Sequence, residues 1–313
     1  MNFNILTHNH GGAHLSVEIL FQHIRDTLSL CGHEVSIATN RMTGDSLNLY
    51  LEYFPEKQDY ASVFRKIRQD TGYRIGVITT EVVRNGEIPY AHLMTGDVSR
   101  RLMNMELVAR EVDFVWSLSE GTARDYESKT AISEFFPYGC TGLVDAERRR
   151  SRKDIDVFFF GGHTEHRERI LQSLLDAGIK VVAVGDGFPG GSLPKYMIDS
   201  FMDRSKIGLN LTMLPKPQRP DESDPRFISA TRVVRMLERE LLVVSETIPG
   251  ENPYRDYMIS GEVEDLTAIC KNIIDQGLWV EEGRARARRF QEQMDVRRIC
   301  APAIDRTLRR LKL

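Results

Sequence analysis

Near its start the chain carries HNHGGAH (residues 8–14), three histidines set around a pair of glycines. Residues of these types could bind a metal, cradle a phosphate, or simply turn the chain. A metal needs ligands that converge in a fixed geometry. His8, His10 and His14 have no CxxC, HExxH or acidic cluster beside them, so no metal site is expected. Gly11 and Gly12 close a strand-like run and open a helix-like one. Backbone N–H groups at a helix N-terminus attract anions, and glycine lets a ligand approach closely. A phosphate cradle and a purely structural turn both stay open on position alone. His10, next to the glycines, is the histidine placed to hydrogen-bond a ligand. The pair does not form GxGxxG, which removes the main support for a dinucleotide-dependent dehydrogenase.

The arrangement recurs. Gly161 and Gly162 again stand between a strand-like and a helix-like run, and His163 and Arg167 fall on the first turns of the predicted helix. A cation there could complete a diphosphate site with the helix N-terminus. The pattern EHRER reads equally as a solvated helix face. A third candidate is Glu81, at the end of RIGVITTE (74–81), which could act as a base, stabilise positive charge, or form a rim ion pair.

These residues need elements to hold them. NFNILT (2–7) reads as a buried strand. Leu15, Ile19, Leu20, Ile24 and Leu28 then follow near-helical spacing, Gly32 ends the helix, and EVSIAT (34–39) is the next strand. This is a βαβ unit with a parallel sheet. Helices over 60–70 and 98–111 alternate with strands over 74–81, 113–119 and 133–140. The charged stretch DAERRRSRKD (145–154) reads as a linker or surface crossing or as a start-of-domain loop, with a nucleic-acid patch less supported because its acidic residues partly offset the basic ones. The alternation then restarts: strands over 156–162, 179–187, 206–212 and 241–246, helices between them, and mostly helix over 264–313. LPKPQRPDESDPR (214–226) reads as loop. Two open α/β sheets in tandem follow, with sites beyond the carboxyl ends of their strands.

A chain of 313 residues with 41% hydrophobic residues can bury two cores. Its net charge of −3 gives no global reason to bind nucleic acid. Four dispersed cysteines argue against a disulfide scaffold and fit a reducing compartment. No signal peptide or membrane span is expected, so the expected location is cytoplasmic.

GGAHLSVEILFQHIRDTLSLCGHEVSIAT resembles the opening of the GT-B glycosyltransferases, in particular the family 4-like, group 1 enzymes. DVFFFGGHTEHRERILQSLLDAGIKVVAVG resembles the start of their donor domain, and ISATRVVRMLERELLVVSE the region that follows it. The resemblance covers most of both halves. It implies two Rossmann-like domains facing a cleft: residues 1–148 on the acceptor side, with a C-terminal helix over 295–313 packing back onto them, and 152–294 for the donor. It implies metal-independent transfer of a sugar from a nucleotide diphosphate sugar to a hydroxyl, without a cofactor. The implied donor residues are Gly11, Gly12, Gly161, Gly162, His163, Arg167, Arg232 and Glu246. Glu81 and His10 are the implied catalytic residues.

The sequence departs from the family where a Glu-x7-Glu pair is common: Arg235 holds the second position, and the first falls near Phe227. Glu238 or Glu246 could replace the missing carboxylate, a solvated helix position being the other reading of Glu238. A non-catalytic nucleotide or sugar-binding protein and a nucleotide-sugar epimerase stay open as alternatives. The partners expected are a nucleotide sugar and an acceptor that is a glycan, lipid, small molecule or, with less support, nucleic acid. RTLRRLKL near the C-terminus leaves contact with acidic headgroups open beside an ordinary solvated helix. The sequence does not set the oligomeric state.

Overall fold

Short apolar runs separated by amphipathic helices can satisfy their backbone only by pairing in parallel, with the helices covering the sheet. The computed structural model describes residues 1–7, 14–52, 59–83, 86–88, 98–143, 152–216, 228–250 and 252–313. It divides into two compact units, Met1–Gly139 with Val296–Leu313, and Cys140–Asp295.

The first unit runs β1 (Asn2–Leu6), α1 (His14–Leu30), β2 (Glu34–Ala38), β3 (Leu47–Leu51), α2 (Tyr60–Thr71), β4 (Arg74–Thr79), α3 (Val98–Ala109), β5 (Phe114–Ser117), α4 (Glu120–Tyr126) and β6 (Ser133–Phe135). All six strands are parallel in the order β2-β1-β3-β4-β5-β6. Strand β3, LNLYL, has no counterpart in the sequence reading. It is buried throughout, so it shows no alternation of apolar and polar faces. Its Asn48 is buried and bonds Asn4, Thr43, Ser46 and Arg74, which is how a polar side chain is tolerated inside this sheet.

The second unit runs β7 (Ile155–Phe160), α5 (Glu165–Asp176), β8 (Val181–Val184), α6 (Lys195–Arg204), β9 (Ser205–Asn210), α7 (Ala230–Glu238), β10 (Leu242–Glu246), β11 (Ile259–Gly261), α8 (Leu266–Asp275) and α9 (Trp279–Gln293). Its five strands are parallel in the order β11-β10-β9-β7-β8. The core is built from Val157, Phe159, Leu174, Ile207, Leu209, Leu242 and Val244, with Leu266 and Ile273 of α8 packed on it.

After α9 the chain re-enters the first unit as α10 (Val296–Ile299) and α11 (Ala301–Leu311). Ala303, Ile304, Thr307 and Leu311 give α11 one buried face at helical spacing. The fully buried Trp116 donates its indole N–H to Thr307 at 2.8 Å. Two of the basic residues in RTLRRLKL are engaged: Arg306 pairs with Glu134 at 2.8 Å and Arg310 donates to the Ala131 carbonyl. Among the described residues no helix is long and apolar enough to cross a membrane.

Candidate functional site

Strand order reverses in the second unit between β7 and β9, because β8 lies on one side of β7 and β9 on the other. At such a switch point the loops leave in opposite directions and open a crevice beyond the strand ends. Two buried arginines staple that crevice. Arg167 donates Nη1 to the Gly162 carbonyl at 2.6 Å, Nε to Thr212 at 2.9 Å and Nη2 to Leu211 at 2.9 Å. Arg232 donates Nε to the Phe160 carbonyl at 2.6 Å. Its Nη1 reaches Asn210 Oδ1 at 3.0 Å and the Leu211 carbonyl at 3.1 Å. Both therefore bridge the end of β7 to the end of β9. Their guanidinium carbons lie 5.2 and 4.8 Å from the centre of the Phe159 ring, within cation–π range.

The sequence reading placed Arg167 on the first turns of α5, and it is there, but on the buried side rather than on the solvated face that EHRER suggested. His163 does not lie on the helix as expected. The helix begins at Glu165, and Thr164 caps it by accepting the Arg167 N–H. His163 sits in the preceding loop, half-exposed, against Phe188, with Nε2 3.1 Å from Glu168.

Glu246 ends β10 and is fully buried. Its Oε1 accepts the Thr212 backbone N–H at 2.6 Å, and its Oε2 lies 2.9 Å from His166 Nε2. The Thr212 hydroxyl is 3.1 Å from both oxygens. These contacts fix the loop after β9. Thr212 and His166 were not legible as site residues in sequence.

The electrostatics of the crevice are cationic. Burial pushes the Arg167 guanidinium down to about 10, with the Glu246 charge pulling the other way. Burial, and then the charge of Arg167, hold Arg232 well below the ordinary arginine value. Arg232 is only 6% exposed, but its Nη2, which has no hydrogen-bond partner among the described residues, keeps access to solvent. That donor is open to an anion entering the crevice.

Gly161 makes room for this arrangement. Its φ is 151°, and a Cβ there would fall 2.6 Å from Arg232 Nη2. Gly185 lies against it, so that a Cβ on Gly185 would fall 2.1 Å from the Gly161 carbonyl oxygen. Gly162 is where Arg167 anchors.

Arg235, at the position of the second family glutamate, is committed elsewhere. It grips Asp199 with Nε at 2.9 Å and Nη2 at 2.5 Å. Glu238 is buried, not solvated as expected. Its Oε1 accepts the backbone N–H and hydroxyl of Thr141, both at 2.8 Å. Helix α7 is amphipathic in an unusual way, because its inner face carries Arg232 and Glu238 among Val233, Val234 and Leu237.

In the first unit, Glu81 follows β4 and pairs with Arg101 of α3 at 2.9 Å, largely shielded from solvent. Next to it stands Glu52, at the end of the unread strand β3 and 7% exposed. The Thr79 hydroxyl donates to Glu52 Oε2. The Glu81 backbone N lies 3.5 Å from the same oxygen. His10, Gly11 and Gly12 lie outside the described residues, as do most of the 145–154 stretch and of the 214–226 loop. Among the described residues no three His, Cys, Asp or Glu side chains converge as a metal site.

No family model matches this sequence, and no curated protein matches it. Its fold does have neighbours among solved structures. The OtsA apo structure aligns at a TM-score of 0.56, with 10% identity, over 98% of this chain and 98% of that one. AviGT4, a glycosyltransferase involved in avilamycin A biosynthesis, aligns at 0.53 and 11% identity over 99% and 98%. TarM aligns at 0.53 and 10% identity over 85% of this chain, which spans 55% of the TarM chain. Two parallel α/β sheets, in these strand orders and with these neighbours, give the chain the fold of the GT-B glycosyltransferases.

Proposed function

We propose that the protein is a glycosyltransferase that moves a sugar from a nucleotide diphosphate sugar to a hydroxyl acceptor without a metal ion. The second unit binds the donor and the first unit serves the acceptor. The observation that carries this reading is the Arg167–Arg232 pair at the β7/β9 switch point, with Arg232 Nη2 lacking an acceptor beside Gly161.

The chemistry follows from charge. When the bond between the sugar and the diphosphate breaks, negative charge develops on the leaving oxygen. Prealigned cations in a site shielded from water stabilise that charge without reorganising. Two guanidiniums supply what a divalent cation supplies elsewhere, so the transfer needs none. Arginine suits the task because its planar fork matches phosphate oxygens and it keeps its charge. Glu246 and Thr212 hold the loop that receives the Arg167 donors. The Glu81 carboxylate, set by Arg101, stabilises positive charge on the reacting sugar. His10, with Gly11 and Gly12, belongs to this proposal on sequence grounds alone.

The fold neighbours support the reading in kind. AviGT4 is named a glycosyltransferase, and an α,α-trehalose-phosphate synthase from Burkholderia vietnamiensis, TM-score 0.51 at 11% identity, is named UDP-forming. The test is a thermal-shift series with UDP, GDP, ADP and dTDP, each against its nucleoside. A ligand that binds only the folded state stabilises it by about 2.7 kcal/mol at a hundredfold excess over Kd. One diphosphate should raise the Tm and its nucleoside should raise it far less. Equal shifts for diphosphate and nucleoside, or none for any, would contradict the reading.

A further inference from the structure

Two carboxyl groups stand at neighbouring strand ends in the first unit, and they are not equivalent. Strands β3 and β4 pair in register through Leu51 and Ile78. The Glu52 N–H donates to the Ile78 carbonyl at 2.8 Å, which carries the ladder one residue past β3. This fixes the Glu52 backbone rigidly. Its side chain is held at one oxygen, Oε2, by the Thr79 hydroxyl. The other oxygen, Oε1, has no hydrogen-bond partner among the described residues and keeps access to solvent, although the residue as a whole is more than nine-tenths buried.

Charge separates the two groups further. Glu81 is paired with Arg101 at 2.9 Å. No cation forms an ion pair with Glu52 among the described residues. One enclosed polar group of α4 feels this carboxyl. Tyr126, on α4, is fully buried, its hydroxyl bonds nothing among the described residues, and of all charges it feels that of Glu52 most.

Resting on the reading of the preceding section, we infer that Glu52 takes up the proton of the acceptor hydroxyl, with Glu81 and Arg101 as the fixed ion pair beside it. The step balances. The acceptor O–H bond breaks and its proton goes to Glu52 Oε1. The oxygen's electron pair forms the new bond to the sugar carbon. The pair of the breaking carbon–oxygen bond leaves with the diphosphate.

The groups that set the titration of Glu52 are Glu81 and Thr79 at the end of β4 and Arg101 on α3, with the Tyr126 phenol of α4 also facing it. Burial, and then the negative charge of Glu81, raise the Glu52 carboxyl to about 7; the Thr79 hydroxyl and Arg101 pull the other way. A base that titrates near neutral pH combines adequate basicity with adequate population of its ionised form.

The test uses the full chain and a panel of UDP-, GDP-, ADP- and dTDP-hexoses, with water standing in for the acceptor hydroxyl, and reads nucleoside diphosphate release against pH. The parent rate should rise as pH increases through about 7. Glu52→Gln should lose about a hundredfold or more in kcat with little change in KM, and should lose that acid limb. It should keep the parent's diphosphate-induced thermal shift, which reads the second unit. Glu52→Asp should recover part of the rate together with the acid limb. Turnover and acid limb unchanged in Glu52→Gln would overturn the inference and leave the proposed transferase standing. No release from any donor by the parent would overturn both. A readout without substrate completes the test. In the chain labelled with 13C at the glutamate carboxyls, the signal missing from Glu52→Gln should titrate near 7. A midpoint in the ordinary carboxylate range would also overturn the inference.

Discussion

Gly161 and Arg232 are fitted to each other: a Cβ at position 161 would stand 2.6 Å from Arg232 Nη2, the donor that lacks an acceptor. The glycine turn after β7 and the arginine on α7 are 71 positions apart in sequence, yet each makes sense only with the other. The turn needs glycine partly because φ is 151° and partly because the guanidinium occupies the side-chain space. Gly161→Ala should therefore displace Arg232. The expected outcome is a diphosphate Kd at least tenfold weaker and a loss of about 1–3 kcal/mol in stability. Calorimetric titration with the diphosphate that shifts the Tm, together with a thermal melt, checks both.

Arg232→Lys separates charge from geometry. Lysine keeps one positive charge but cannot reach the Phe160 carbonyl and Asn210 while facing a phosphate, as the fork of Arg232 can. The diphosphate-dependent thermal shift should fall by most of its value, while that of the nucleoside stays as it is. A shift equal to the parent's would mean that Arg232 is structural only.

Asp199 carries a prediction about acid. The buried carboxylate meets Lys195 at 3.0 Å, Arg235 at 2.5 Å and Arg239 at 2.8 Å. Burial alone would raise its pKa, but the charge and hydrogen bond of Arg235, followed by Arg239, outweigh this and hold it below the reference 3.8. A carboxyl with a depressed folded pKa stabilises the fold above its unfolded pKa, and that stability drains away as pH falls through the folded value. Asp199→Asn leaves Arg239 buried without its full partner and should cost about 3–5 kcal/mol at pH 7. The gap between variant and parent in Tm should narrow as pH falls below about 4. A constant gap from pH 7 to pH 3 would contradict this account of the network.

Glu52 predicts the opposite sign. Its folded pKa stands near 7 against a reference of 4.5, so the unfolded chain gives up this proton first as pH rises. Stability is full below the unfolded value, falls as pH climbs between the two, and levels off above the folded value. Glu52→Gln keeps an acceptor for the Thr79 hydroxyl and removes the ionisable group. It should be more stable than the parent at pH 8, by up to about 3 kcal/mol, and no more stable at pH 4. Chemical denaturation at the two pH values checks the difference.

What the sequence discloses divides along physical lines. Alternating apolar runs and amphipathic helices disclosed two parallel sheets, because a strand buried on both faces and a helix with one wet face leave different patterns. Strand β3 left no such mark: it is five residues long, buried throughout, and interrupted by Asn48. Missing β3 meant missing Glu52 at its end. The glycine turn at 161–162 and Arg167 were legible from type and spacing. The burial of Arg167 was not, because its neighbours Glu165, Glu168 and Arg169 present an ordinary charged face. Glu238 was misjudged for a similar reason. A lone glutamate beside arginines looks solvated, and only the fold brings Thr141 to it from 97 positions away.

The proposed transfer relies on two arginines, and on no metal, to release a nucleoside diphosphate from a donor sugar. The most direct measurement is release of nucleoside diphosphate from the hexose panel, run with and without excess EDTA. Release is expected from at least one donor at a rate that EDTA leaves unchanged. Arg167→Met and Arg232→Met, each still folded by circular dichroism, should lose at least a hundredfold of that rate. Release that stops with EDTA and returns with added magnesium or manganese, or that survives loss of both arginines, would contradict the proposed transfer.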